Sequence, residues 1–192
     1  MKIFKKIKRR KNMSFFKELL ALSVEEGKAA VTEYLKDKQE DDYYLNLGYT
    51  YSSSGKSNKA IKCYKKAIEK DPTSKLAYNC LGLEYYFLGD NLEAIDNFEK
   101  SIEIDPLFSS SYDNLANVYY DMGLTDDAIK NYKKSIEIDP GIEDPYLNLA
   151  NIYYHLGKIS ESEKAFRKLK EINPEKYHMV KLEEIIFDRF NK

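Results

Sequence analysis

Two histidines, two cysteines and a scatter of carboxylates are the side chains in this sequence that could catalyse a reaction or hold a metal. His155 and His178 are far from the three- or four-residue spacing that brings two imidazoles to one helix face. Cys63 and Cys80 lack the close pairing of a zinc or redox motif. They read as reduced, packed thiols, which fits a reducing, cytoplasmic setting. No glycine-rich phosphate loop or nucleophile motif occurs. Glu and Lys alternate at helical neighbour spacing, where they support helices. The residues therefore predict no enzyme activity, no metal and no cofactor.

Amides and tyrosines form the more ordered pattern. Asn46, Asn114 and Asn148 each precede a leucine, and Asn117 and Asn151 follow one turn later. The phrase NLAN stands whole at 114–117 and at 148–151. Tyr86, Tyr120 and Tyr154 recur at a constant interval. An amide carries both a donor and an acceptor, so it can pair with any peptide unit whatever its side chain. The pattern has two readings. The amides and rings grip an extended peptide, or the asparagines are solvated or bonded to a neighbouring element while the tyrosines pack internally.

What positions them is a repeat of 34 residues, with copies at 41–74, 75–108, 109–142 and 143–176 and no gaps. In the third copy Tyr112, Leu115, Ala116 and Tyr119 fall three and four apart, one face of a first helix. The same face is Tyr44, Leu47, Gly48 and Tyr51; Tyr78, Leu81, Gly82 and Tyr85; and Tyr146, Leu149, Ala150 and Tyr153. The small residue lets a second helix approach closely. That helix carries Ala128, Tyr132, Ser135 and Ile136, with Ala60, Tyr64, Ala67 and Ile68, then Ala94, Phe98, Ser101 and Ile102, as counterparts. The fourth copy departs at Ser162 and Leu169, which predicts altered packing there. Gly55, Gly89, Gly123 and Gly157 separate the two helices and suit a left-handed helix end. Ser57, Asn91, Thr125 and Ser160 are placed to open the second helix. Asp71-Pro72, Asp105-Pro106, Asp139-Pro140 and Asn173-Pro174 close it, because proline drives the preceding residue out of the helical region. One such pair cannot bury its own apolar face, but stacked pairs share a core.

These residues resemble the tetratricopeptide repeat family, whose motif runs bulky residue, Leu-Gly/Ala, Tyr, Ala, Phe/Tyr, Ala/Ser, Pro. The resemblance covers 41–176 and implies an all-α, right-handed solenoid of antiparallel helix pairs. It further implies that the first helix of each pair lines a concave groove that binds a protein or peptide segment. The inward positions would be Asp42, Leu45, Tyr49 and Ser52; Leu76, Asn79, Leu83 and Tyr86, with Phe87 beside them; Ser110, Asp113, Asn117 and Tyr120; and Asp144, Leu147, Asn151 and Tyr154, beside His155. The candidate contact set is then Asn46, Tyr49, Asn79, Leu83, Tyr86, Phe87, Asn114, Asn117, Tyr120, Asn148, Asn151 and Tyr154. NLAN is similar to the asparagine-bearing repeats of O-linked GlcNAc transferase, where inward amides bond a peptide backbone. The carboxylate clamp of chaperone-tail-binding members is not matched. Its positions read Leu45, Tyr49, Cys80, Ser110 and Asn114 here, without the cations.

Charge is uneven. Residues 1–12 hold seven basic residues and no acid, leaving 24 basic against 32 acidic residues in the remainder, a net of −8. An acidic body predicts no nucleic-acid partner. The segment 1–13 reads as a basic tail, as a membrane-surface contact through Ile3, Phe4 and Ile7, or as an upstream extension of a start at Met13. Residues 14–40 read as a degenerate helical pair covering the end of the stack, or a loosely attached arm. Residues 177–192 carry Val180, Leu182, Ile185, Ile186 and Phe190, and read as a capping helix or a dimer contact. No run is long and apolar enough to span a bilayer, and no secretory leader is expected. The leading expectation is a protein-interaction module or scaffold. A membrane-peripheral assembly factor and a self-associating structural unit are the alternatives, and the oligomeric state is left open.

Overall fold

The protein is described by a computed structural model, in which residues 43–178 are placed. Segments 1–13 and 14–40, and all of 177–192 beyond His178, lie outside the described residues. The chain runs as helix α1 (43–53), α2 (Ser57–Lys70), α3 (Lys75–Leu88), α4 (Asn91–Ile104), α5 (Ser109–Asp121), α6 (Thr125–Ile138), α7 (Asp144–His155) and α8 (Ile159–Ile172). A further helical stretch, α9, starts at 174 and is described to 178. There is no strand among the described residues. The helices pair within each repeat and stack between repeats as an α-solenoid.

Each hairpin turn is made the same way. Gly89 has φ +83°, and its N–H bonds to the Tyr86 carbonyl at 3.0 Å while the Asp90 N–H reaches the Tyr85 carbonyl at 2.9 Å. Gly55, Gly123 and Gly157 repeat this two-bond helix stop, the arrangement only a residue at ease with positive φ supports. The residue after each glycine does double duty. The Asp90 carbonyl accepts from Ala94 N–H and starts α4, as Lys56, Leu124 and Lys158 start α2, α6 and α8. This departs from the expected side-chain caps. Ser57, Asn91 and Thr125 are already the first residues of their helices, and none of the four turns has a side-chain cap bond. With one residue ending one helix and beginning the next, no place remains for a separate capping side chain. At the other end, Asp71, Asp105, Asp139 and Asn173 are extended before their prolines, as the pre-proline clash requires.

The core follows the repeat. Tyr64, Phe98, Tyr132 and Phe166 from the second helices are buried against the small residues of the first. A Cβ built on Gly82 would sit 2.7 Å from the Phe98 ring, and one on Gly48 would sit 2.3 Å from Tyr64. Interiors this dense resist added volume. The variant Gly82→Ala is therefore expected to lose about 1–3 kcal/mol of stability, read as a lower urea midpoint at unchanged slope. Three buried clusters form along the stack, and Tyr85 and Tyr119 each pack against two of them, joining the repeats. Ser101 and Ser135 are buried and donate to the carbonyls of Lys75 and Ser109 at 2.9 and 3.0 Å. The fourth repeat absorbs its departures similarly. The Ser162 hydroxyl donates to the Ala150 carbonyl at 2.8 Å, and Leu169 is fully buried. Tyr177 of α9 packs edge-on to Phe166, their centroids 6.4 Å apart.

Candidate inter-repeat groove

The first helices α1, α3, α5 and α7 stand side by side because each is followed by the same kind of glycine turn and a like second helix. Their shared face carries amides that pair across repeats. The Asn114 Nδ2 donates to Asn79 Oδ1 at 2.9 Å, and Asn148 Nδ2 donates to Asn117 Oδ1 at 3.1 Å. In the second repeat the corresponding side chain is Cys80, whose thiol donates to the Tyr49 hydroxyl at 3.3 Å. The carbonyl of Asn117 is used twice, since Tyr132 donates its hydroxyl to it at 2.5 Å. Asn79 is buried, and its Oδ1 also lies 3.0 Å from the Ser111 hydroxyl, itself 2.7 Å from Ser101 Oγ. Four of the candidate asparagines thus form two cross-repeat pairs. Their carbonyl oxygens on Asn79 and Asn117 are consumed by the stack. Asn46 and Asn151 are exposed instead.

The tyrosines grade along the same face. Tyr86 is half-buried and donates to Asp121 Oδ2 at 2.5 Å. Burial, then the bond to that carboxylate and its charge, push the Tyr86 hydroxyl up to about 12. Tyr120 is 42% exposed and Tyr154 60%, the latter edge-on to His155. Phe87 is exposed and lies 5.9 Å from Tyr86 between ring centroids. Leu83 is half-buried against the core of the second and third repeats. Tyr49 is part-exposed, and burial of its hydroxyl beside Cys80 raises its pKa. Both cysteines are buried, and burial raises both thiols, so neither is poised as a nucleophile.

Two acidic residues of these helices carry more than the sequence pattern signals. Asp113 points one carboxylate oxygen into a space where it has no hydrogen-bond partner. Burial first, and the charge of Asp144 second, push its carboxyl up to about 7, against the opposing pull of Lys176. Lys176 of α9 pairs with Asp144 and, at 3.2 Å, with Glu143. The signal for Asp113 would have been its pairing with Asp144 at inward positions of successive repeats. Glu84 is 2% exposed, and its Oε2 has no partner among the described residues. It stands before Tyr85 where the third and fourth repeats bury Val118 and Ile152. No group of three or more His, Cys, Asp or Glu among the described residues is placed to hold a metal ion. None of the described helices is long and apolar enough to cross a membrane.

Comparison with known proteins completes the picture. Tetratricopeptide repeat models match residues 42–74, 63–96, 97–130 and 144–176, and a further TPR repeat model matches 116–157. No curated protein matches the chain. Among solved structures, a crystal structure of MamA is 30% identical, covering 87% of this chain and 98% of that one, with a TM-score of 0.65. A second crystal structure of MamA protein is 33% identical, covering 77% and 81%, at a TM-score of 0.62. The first TPR of Spaghetti (RPAP3), solved bound to an HSP90 peptide, is 20% identical, covers 62% of this chain and 94% of that one, and has a TM-score of 0.59. That last likeness carries the fold alone. The repeats and their neighbours support a protein–protein interaction module. With four repeats in register, matched by the family's models across residues 42–176 and by a MamA structure over 87% of the chain, the chain belongs to the tetratricopeptide repeat family.

Proposed function

We propose that this protein binds an extended or helical segment of a partner protein along the face formed by α1, α3, α5 and α7. The observation that carries the reading is the coincidence on one face of exposed rings, Tyr120 and Tyr154, with amide groups still able to bond. Asn117 spends its carbonyl on the stack, which leaves its NH2 group as a donor toward a ligand's peptide carbonyls, whereas Asn79 is buried within the stack. Asn151 has no hydrogen-bonded partner among the described residues and offers both functions. A segment held this way would bind at about 1 μM, about −8 kcal/mol.

The pairing dictates the test. Asn117→Ala would strand the Tyr132 hydroxyl and loosen the fourth repeat, so it cannot separate binding from folding. Asn151→Ala with Tyr154→Ala can, since both side chains are exposed. The double variant is expected to keep its circular dichroism and thermal midpoint. Its affinity for a partner captured by the wild type, measured by calorimetry, should fall about tenfold or more, as loss of bonded and apolar contacts implies. Unchanged affinity would move the binding surface elsewhere. A partner with a C-terminal carboxylate is disfavoured, because Cys80 and Asn114 at the clamp positions are engaged with Tyr49 and Asn79.

A further inference from the structure

The turns between first and second helices line up along one edge of the stack, and they differ in chemistry. The Tyr86–Asp121 hydrogen bond fastens the second turn to the third. Residues 87–93 and 121–127 contain Asp90, Glu93, Asp121, Asp126 and Asp127, all exposed, and no lysine or arginine. Between these carboxylates stand Phe87 and Leu92, 68% and 70% exposed, with Leu88, Met122 and Leu124 exposed beside them. The first repeat's turn, 53–59, has the opposite character, with Lys56 and Lys59, no acid and no apolar side chain. The fourth, 155–161, is mixed. An apolar patch framed by one sign of charge is therefore confined to two adjacent repeats. It is not a general feature of the fold. Contiguous exposed apolar surface of this kind marks a contact site, and the frame selects a cationic occupant.

One segment of the chain has the complementary composition. Residues 1–12 hold Met1, Ile3, Phe4 and Ile7 among seven basic residues and no acid. We propose that the edge formed by residues 87–93 and 121–127 receives the basic apolar segment 1–12 of this protein, its leucines meeting Ile3, Phe4 and Ile7 while its carboxylates meet the lysines and arginines. This surface adjoins the face assigned to a partner above and shares Phe87 with it, and the proposal stands whether or not that face binds one.

The test uses the full-length chain with photoreactive benzoylphenylalanine in place of Phe4, irradiated at low salt and mapped by mass spectrometry. Cross-links are expected at 87–93 and 121–127. Their yield should fall about tenfold with Leu92→Ser and Leu124→Ser together, the effect of withdrawing two apolar contacts. It should fall similarly with Glu93→Gln, Asp126→Asn and Asp127→Asn together, and as salt is raised, because exposed charge pairs are screened. Mixing isotopically heavy and light protein assigns the segment to the same chain or to a second copy, and either places it on this edge. Cross-links confined to other helices would overturn the proposal. So would yields indifferent to both sets of variants, or capture of the segment by anionic vesicles alone.

Discussion

Glu84→Val is expected to raise the free energy of unfolding by about 2–4 kcal/mol, because it replaces a buried carboxylate lacking a partner on one oxygen with an apolar side chain of similar volume. The site is already built for such a residue. Val118 and Ile152 occupy it in the third and fourth repeats and are buried. At Glu84 the Tyr64 hydroxyl and the Cys80 thiol lie within the field of the carboxylate, and neither hydrogen-bonds its Oε2. A carboxylate there costs desolvation that a valine does not incur. The measurement is a urea denaturation series on wild type, Glu84→Val and Glu84→Gln, compared at equal slope. The glutamine variant should fall between the other two, since it removes the charge but keeps polar atoms in the core. A midpoint for Glu84→Val at or below wild type would sink the idea that this carboxylate is uncompensated.

The second large effect is a pH dependence centred on Asp113. Its carboxyl titrates at about 7 in the folded chain, against 3.8 for the unperturbed group. Between those values the folded state keeps a proton that the unfolded state releases. Stability therefore falls as pH rises from about 4 to about 7, at up to about 1.4 kcal/mol per pH unit for this one group. Summed over the window and reduced for partial hydration, the loss is about 2–4 kcal/mol. The groups facing it set the size. Asp144 raises the cost of ionisation, Lys176 lowers it, Glu143 shares Lys176, and the Tyr132 hydroxyl lies within its field. Asp113→Asn cannot ionise, so its advantage over wild type should be small at pH 4.5 and reach its full value at pH 8. Taking the difference between the two proteins cancels carboxylates such as Asp105, whose pairing with Lys75 gives the opposite dependence. Parallel pH profiles for the two proteins would refute the assignment. Binding of a cationic partner near Asp113 would lower its pKa and flatten the wild-type profile, which makes the same titration a reporter of occupancy.

Much of the architecture was legible in the residues. The 34-residue period, the small residue facing each ring and the Asp-Pro or Asn-Pro stops predict helix pairs of the observed kind. The glycines were equally plain, since each has the positive φ its position implies. The helix openers were not. Ser57, Asn91 and Thr125 have the composition of caps but sit one residue too late, because the turn is so short that its last residue serves both helices. The asparagines illustrate a different gap. Their spacing placed them on one face of the first helices. It could not say that Asn114 would bond Asn79, or Asn148 bond Asn117, since such pairs depend on how closely and at what rotation neighbouring repeats stack.

The sequence by itself determined what is local and periodic: where helices start and stop, which side chains face inward within a hairpin, and that hairpins must stack to bury them. Tertiary structure alone decided which polar groups lose water and which find partners. Glu84, Asp113 and Asn117 look alike as polar residues on amphipathic helices. One is buried without a full complement of bonds, one has its carboxyl pushed up first by burial and then by a carboxylate from the next repeat, and one accepts from two repeats at once. Those differences arise from contacts across a hairpin and between repeats, 15 to 35 residues apart, where hydration is removed by a neighbour that no local pattern names.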